Sequence, residues 1–215
     1  IRLLPGTYHE SVIVDRPVTV VGENPETTIL EGLQGPALTA RAPIQLQGLT
    51  LKGTSPEHPT LELLAGRCTL ESCRLLATTS PALHLAPSAS ATLNHCTSAS
   101  EGTTVIRAEG DVELNGGALQ GGRRSALELG VKVRGTLSNL QIEAGPGVGL
   151  HLAAGAQATL EQTQIQGRRL GGIELESGAR LEARESSFQG SAFAGVLALE
   201  RAQVQLERCT CTDHE

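Results

Sequence analysis

A repeat of 22 or 23 residues, alternating apolar and polar positions within each unit, and very few aromatic residues predict an all-β protein. The predicted fold is a single-stranded right-handed parallel β-helix of about nine coils, with three short strands in each coil. Residues 1–35 are expected to form an irregular first coil, and residues 36–215 to form eight repeat coils. We expect the domain to be part of a larger protein, because the sequence starts inside a strand-like run without an initiator Met.

The repeat is visible when the chain is aligned with itself. Residues 148–167 overlay residues 171–190, with Leu150 opposite Ile173 and Ile165 opposite Phe188. The other units begin at residues 36, 59, 81, 103, 125 and 194. Because one unit cannot bury its own apolar face, such repeats stack on their neighbours.

Alternation of apolar and polar residues inside each unit indicates strands with one buried face, and no window shows the spacing of an amphipathic helix. Stacking predicts one interior ladder: Leu46, Leu70, Leu93, Leu114, Leu137, Leu160 and Leu206. Ala183 interrupts this ladder, and Leu181 is expected to compensate. One Tyr, two Phe and no Trp or Met fit a narrow interior.

Charge and composition exclude several partners. The chain carries 23 acidic and 17 basic side chains, a net charge of −6, which disfavours nucleic acid. No apolar run approaches the roughly 20 residues needed to cross a bilayer, so no membrane partner is predicted. An odd number of cysteines, five, and no visible signal peptide favour a cytoplasmic location.

The first coil carries the most specific motif, and it resembles that of pectin methylesterase-like and copper-maturation-type periplasmic β-helix proteins. The matching residues are Pro5, Gly6, Tyr8, Glu10, Ile13, Gly22, Glu23, Thr28, Ile29 and Gly32. The later units resemble the repeats of the carbohydrate-binding and sugar-hydrolase superfamily of right-handed β-helices. This resemblance implies the architecture and leaves the activity open, because the fold hosts lyases, hydrolases, esterases and non-catalytic recognition domains.

No catalytic residue and no cofactor are predicted. Sugar-cleaving enzymes of this fold resemble one another in needing clustered Asp carboxylates. The three Asp residues here, Asp15, Asp111 and Asp213, fall in distant coils. The esterase motifs and aromatic stacking platforms are also missing, so we expect a protein that is not an enzyme, with a polysaccharide lyase or hydrolase as the remaining alternative.

An outward column on the first strand of the units is a candidate surface ladder. It is predicted to read Thr39, Glu62, His84, Ile106, Glu128, His151, Glu174 and Leu197. Glu128, His151 and Glu174 would then stack about 5 Å apart. Two interpretations stay open, a metal or proton-sensing site and a solvated ladder of alternating charges, and the second is favoured because stacked ligands do not converge on a metal.

The five cysteines allow a similar choice. Cys68, Cys73, Cys96, Cys209 and Cys211 all fall on predicted inward positions. Cys209 and Cys211 with His214 would make a soft-metal motif, but packing of small apolar thiols in a narrow core is favoured, and no metal site is predicted.

Four arginines form the candidate binding site for an anionic partner: Arg123, Arg124, Arg168 and Arg169. Both pairs follow the third strand of their coils, two coils apart, so one edge of the rod would hold them about 10 Å apart. The alternative is a solvated turn, and Glu143 on the intervening coil weakens the positive field.

The predicted function is a non-catalytic binding or scaffolding domain that recognises a protein or a substrate within a multidomain protein. Its repeats resemble the recognition modules attached to ligase adaptors, kinases and ATPases. The alternative is a carbohydrate-binding or carbohydrate-processing β-helix of an envelope or secreted protein, with an acidic polysaccharide as ligand. The open ends of a β-helix invite further strands, so flanking domains or end-to-end self-association are expected to cover them.

Overall fold

The computed structural model describes residues 1–167, 171–190 and 195–213. These residues form strands and turns, without a helix among them. Two short strands, β1 (Arg2–Leu3) and β2 (Gly6–His9), precede nine coils. The strands of the nine coils are, in order, β3 to β5 (Val12–Val14, Val18–Gly22, Thr28–Gly32), β6 to β8 (Leu38–Ala40, Ile44–Gln47, Thr50–Gly53), β9 to β11 (Leu61–Leu63, Gly66–Glu71, Arg74–Ala77), β12 and β13 (Leu83–Leu85, Ala89–Ser100), β14 and β15 (Thr104–Ala108, Val112–Gly121), β16 to β18 (Ser125–Leu129, Arg134–Ser138, Gln141–Ala144), β19 to β21 (Val148–Leu152, Gln157–Glu161, Gln164–Gly167), β22 to β24 (Gly171–Leu175, Arg180–Arg184, Ser187–Gly190) and β25 to β27 (Val196–Ala198, Gln203–Glu207, Thr210–Asp213).

Corresponding strands of successive coils pair in parallel and build three faces along the rod. The first face is a nine-stranded sheet that runs from β3 to β25. The second and third faces begin with β1 and β2, and the long strands β13 and β15 pass from one to the other without a break. The parallel β-helix of about nine coils that the sequence predicts is confirmed.

The predicted interior ladder is confirmed residue by residue. Leu137 is in register with Leu114 on one side and with Leu160 on the other. Ala183 occupies the ladder position in coil 8, and Leu181, two positions earlier in the same strand, is buried above the smaller Ala158. The volume lost at one interior column is therefore replaced at the next, which keeps the core filled.

The corner between the second and third faces, which we call the regular corner, has the same form in coils 2 to 9. Two residues form this corner: the first has a positive φ, and the second is an inward position that carries a side chain except in coil 5, where it is Gly117, also at a positive φ. The positive-φ residues are Gly48, Ser72, His95, Gly116, Asn139, Gln162, Glu185 and Arg208. A left-handed residue turns the chain within one position, and most L-residues adopt it at a cost of about 1–2 kcal/mol. The fold therefore repeats a strained turn in order to keep successive coils identical here.

The corner between the first and second faces, which we call the variable corner, differs from coil to coil. The chain passes from the buried first-face residue to the ladder residue as Leu83 to Leu93 in coil 4 and as Ile106 to Leu114 in coil 5. The connection in coil 5 is therefore two positions shorter. Leu93 and Leu114 are nevertheless register partners. The predicted spacing of 22 or 23 residues is wrong at this coil, because the shorter turn brings Leu114 into register with Leu93, 21 positions before it.

Coil 9 has no described coil stacked beyond it. Val204 and Leu206 lie on interior columns yet remain 38% and 40% exposed. Cys209 packs partly buried against the core, and Cys211 lies in the column of the buried Phe188 but is exposed, so both occupy the predicted inward columns with less cover in the last described coil. The described residues include no helix that is long and apolar enough to cross a membrane.

Candidate binding groove at the variable corner

The predicted arginine edge is only half described. Arg123 and Arg124 are exposed at the corner between the third and first faces, where their backbone N–H groups donate to Gly102 O at 2.7 Å and Thr103 O at 2.8 Å. Arg168 and Arg169 lie outside the described residues. The anionic-partner site made of all four arginines stays a prediction.

The predicted ladder of Glu128, His151 and Glu174 does exist as three register partners on the first face. The prediction is wrong for one member of the longer column. Ile106 is fully buried, in register with Leu83 and Leu127, and Arg107 takes the outward position instead. The same pair of buried residues occurs in the neighbouring coils as Ala82–Leu83 and Ala126–Leu127, so the predicted unit start at residue 103 is one residue too early.

The side-chain contacts of Arg107 and His151 determine which carboxylates of this column have no cationic partner among the described residues. Arg107 lies between His84 and Glu128 in register, but its guanidinium contacts Glu109 Oε1 at 3.0 Å. His151 lies between Glu128 and Glu174, but its Nε2 contacts Glu176 Oε1 at 3.2 Å.

Within the described part of the chain, Glu128 and Glu174 have no ion-pair partner. Glu128 accepts one long hydrogen bond, from the Thr104 hydroxyl at 3.3 Å. Two carboxylates on one face therefore keep their negative charge free for a ligand.

The short turn of coil 5 makes a notch beside these acids. The turns of coils 4 and 6 are two residues longer and extend past it on both sides. Gly110 lies at the bottom, where a Cβ would collide with the Ala89 carbonyl oxygen. The turn can be this short because glycine leaves room for the neighbouring backbone.

The notch opens into a groove of about 390 Å³ that we call the corner groove. It is lined by Pro87, Arg107, Glu109, Glu128, Gly130, Val131 and Ala153. A second depression of about 380 Å³ adjoins it on the side of the second face and adds Asp111 and Lys132. Val131 projects from the turn of coil 6 and is 65% exposed. The groove thus combines an apolar wall with charged groups at its floor and rim.

The linings of the two adjoining depressions include three carboxylates, Glu109, Asp111 and Glu128, of which the sequence analysis singled out Glu128 only as a member of the surface ladder. Asp111 Oδ1 accepts a hydrogen bond from the backbone N–H of Arg134 at 3.0 Å. The signal that would have found the site was present, because the stretch from Ile106 to Leu114 is two positions shorter than its counterparts in the coils on either side. Recognising it required the correct register of Ile106.

Three of the cysteines are enclosed in the interior of the coils. Cys68, Cys73 and Cys96 are buried. Burial, followed by the effect of Cys73, raises the pKa of Cys68 to about 12. Hydrogen bonding between Cys73 and Cys96 lowers the pKa of the first and raises the pKa of the second, and burial raises the second further. His214, the third member of the soft-metal motif, lies outside the described residues, and the described part of the chain holds no group of three potential metal ligands.

Comparison with protein families agrees with this architecture. The family model described as right handed beta helix region matches residues 63–211. The chain belongs to the right-handed β-helix family. The match covers coils 3 to 9, including the whole corner groove, and the family contains both enzymes and non-enzymes. Comparisons of this β-helix with curated proteins and with solved structures gave no match.

Proposed function

We propose that this β-helix is a non-catalytic binding domain that recognises a segment of another protein at the corner groove. The observation that carries the proposal is Val131, a large apolar side chain held 65% exposed on the wall of a groove of about 390 Å³. An exposed apolar group beside charged ones is typical of a recognition site, in which a partner covers the apolar part and pairs the charges.

The shape of the groove suits a side chain of a partner protein. Pro87, Val131 and Ala153 supply apolar contacts on a rigid scaffold, because the strands on both sides are held in register by the stacked coils. A preorganised site of this kind orders little on binding and so loses little affinity to entropy.

Carbohydrate binding is the second candidate, and a surface on the third face favours it. A depression of about 180 Å³ on this face is lined mainly by outward polar side chains. They are Gln141, Glu143, Gln164, Gln166, Ser187 and Gln189. Amides can bond to sugar hydroxyls, but sugar sites also use aromatic rings for stacking. Tyr8 and Phe188, the described aromatic residues, line neither this depression nor the corner groove.

Selection from a random peptide library on the immobilised protein tests the proposal. We expect enriched peptides whose Kd rises about fivefold in Val131→Ser, because the apolar contact is lost. The matched control is Leu33→Ser, which removes another exposed apolar residue, 56% exposed, on a different corner, and should leave Kd unchanged.

Two results would contradict this function. Either no peptide is enriched, or the purified chain cleaves polysaccharides from a panel of pectin, alginate and chondroitin, as measured by newly formed chain ends. Binding of an uncleaved polysaccharide that is lost in Gln141→Ala and Gln164→Ala, but not in Val131→Ser, would favour the second candidate instead.

A further inference from the structure

We infer that the segment bound at the corner groove is basic: a Lys or Arg side chain lies against Val131 and Pro87 with its charged end on Glu128, and a second basic residue contacts Glu174. This inference rests on the proposed function and adds the chemistry of the partner.

Glu128 and Glu174 give the first face negative charge that no ion pair among the described residues compensates. Arg107 and His151, the register neighbours of Glu128, both contact other acids, Glu109 at 3.0 Å and Glu176 at 3.2 Å. Glu128 lines the corner groove directly and is only partly exposed. A carboxylate in a groove with apolar walls is screened less than one in open water, so an incoming cation gains more there.

The site presents hydrogen-bond acceptors to a ligand. His151 is 5% exposed and lies between Glu128 and Glu174, with its Nε2 on Glu176. Its Nδ1 is buried and has no hydrogen-bond partner among the residues that the structure describes. Both free carboxylates are hydrogen-bond acceptors. Lys and Arg side chains carry donors and no acceptors, so they match such a site and an acidic or neutral acceptor group does not.

The shape of the groove favours a ligand side chain with a long apolar stem and a charged end. A Lys or Arg side chain has an apolar stem of three or four methylene groups below its charge. The stem fits the wall made by Pro87 and Val131, and the charge then reaches Glu128 on the groove lining. A short cation without a stem would leave Val131 uncovered.

The spacing of the acids adds a length criterion. Glu128 and Glu174 lie in coils 6 and 8, two coils apart, or about 10 Å. An extended peptide rises about 3.3 Å per residue. Two basic residues about two to four positions apart therefore span the two carboxylates.

The experiment uses the peptides enriched on the full chain and a double variant with a charge-matched control. Glu128→Gln with Glu174→Gln removes the two free carboxylates. Glu161→Gln with Glu182→Gln removes two exposed acids from the second face and changes the net charge equally. We expect enrichment of Lys and Arg at positions two to four apart, Kd about tenfold higher in the first variant, and Kd within about twofold in the control.

Salt provides a second readout. Raising NaCl from about 0.05 to about 0.5 M should weaken binding to the wild type and have a smaller effect on the Glu128→Gln, Glu174→Gln variant. Circular dichroism and thermal unfolding of both variants check that the coils are intact.

The failures of the two proposals are distinguishable. Enriched peptides that depend on Val131 but carry no excess of basic residues would overturn the inference and leave the proposed function standing. Equal weakening in both double variants would also overturn it, because the attraction would then be general. Absence of any enriched peptide would overturn both.

Discussion

The regular corner and the variable corner of this β-helix are made by the same chain under different constraints. At the regular corner every coil from the second to the ninth uses two residues, of which the first has a positive φ. At the variable corner the number of residues changes, and the shortened turn in coil 5 opens the corner groove. Identical turns hold the coils in register, whereas unequal turns shape the surface that can recognise a ligand.

Inserting two residues tests this difference most strongly. A Gly-Ser insertion after Asn139, in the regular corner, should lower the free energy of unfolding by several kcal/mol, because the inward residue Leu140 and the start of β18 are displaced from their ladders. The same insertion after Gly110, in the variable corner, should cost less than about 1 kcal/mol, since it lengthens a surface turn.

The second insertion should also fill the notch and abolish binding of the selected peptides. Denaturant unfolding and peptide anisotropy measure the two effects. If both insertions cost the same stability, the two corners do not differ in this way.

Side-chain truncation at the two corners should give a smaller contrast. Leu140→Ala removes a side chain that is 2% exposed at the regular corner, and large-to-small changes of this kind cost about 2–5 kcal/mol. Val131→Ala at the variable corner should change the free energy of unfolding by less than about 0.5 kcal/mol. Thermal unfolding compares the two variants, and a large loss of stability in Val131→Ala would show that this side chain serves the core.

The smallest expected effect is on the pH dependence of stability, through Glu31, a carboxylate that is paired with Lys52. Glu31 contacts Lys52 at 2.8 Å and His9 at 3.1 Å. The hydrogen bond from Lys52 is the main cause that lowers the pKa of Glu31 below its ordinary value of 4.5. Because the folded pKa is lower than the unfolded one, the stabilisation is present above pH 4.5 and is lost as the pH falls through the folded value.

Lys52→Met should therefore reduce stability near neutral pH by about 0.5–1 kcal/mol and flatten its decline below pH 4.5. Urea unfolding at a series of pH values measures both. Lys132→Met, at an exposed lysine without an ion-pair partner among the described residues, is the matched control and should leave the stability and its acid decline unchanged. A steeper acid decline in Lys52→Met would contradict the assigned pairing.

Sequence periodicity was sufficient for the fold. The ladder from Leu46 to Leu206 follows from alternation and from the repeat, because each side chain must face the same interior as its counterpart one coil away. The register of Glu128, His151 and Glu174 follows for the same reason. The error at Ile106 arose because the repeat is not evenly spaced: coil 5 starts at Thr104, in register with Ser125, one residue later than the predicted start.

The corner groove was not predictable in the same way. A turn two residues short becomes a notch only when the longer turns of coils 4 and 6 lie beside it, and those turns belong to the preceding and following repeats. Arg107 pairs with Glu109 instead of Glu128, and this pairing depends on the directions of side chains at a corner. The periodicity of the sequence does not describe those directions.

The sequence by itself determined a rod of stacked coils, its interior ladder and the columns of its faces, since these depend on local alternation repeated at a nearly constant interval. Only the tertiary structure decided which charges neutralise one another and where the surface is concave, because both depend on distances between side chains of different coils. Glu128 illustrates the division: its column is readable from the repeat, whereas its free charge is a consequence of where Arg107 points.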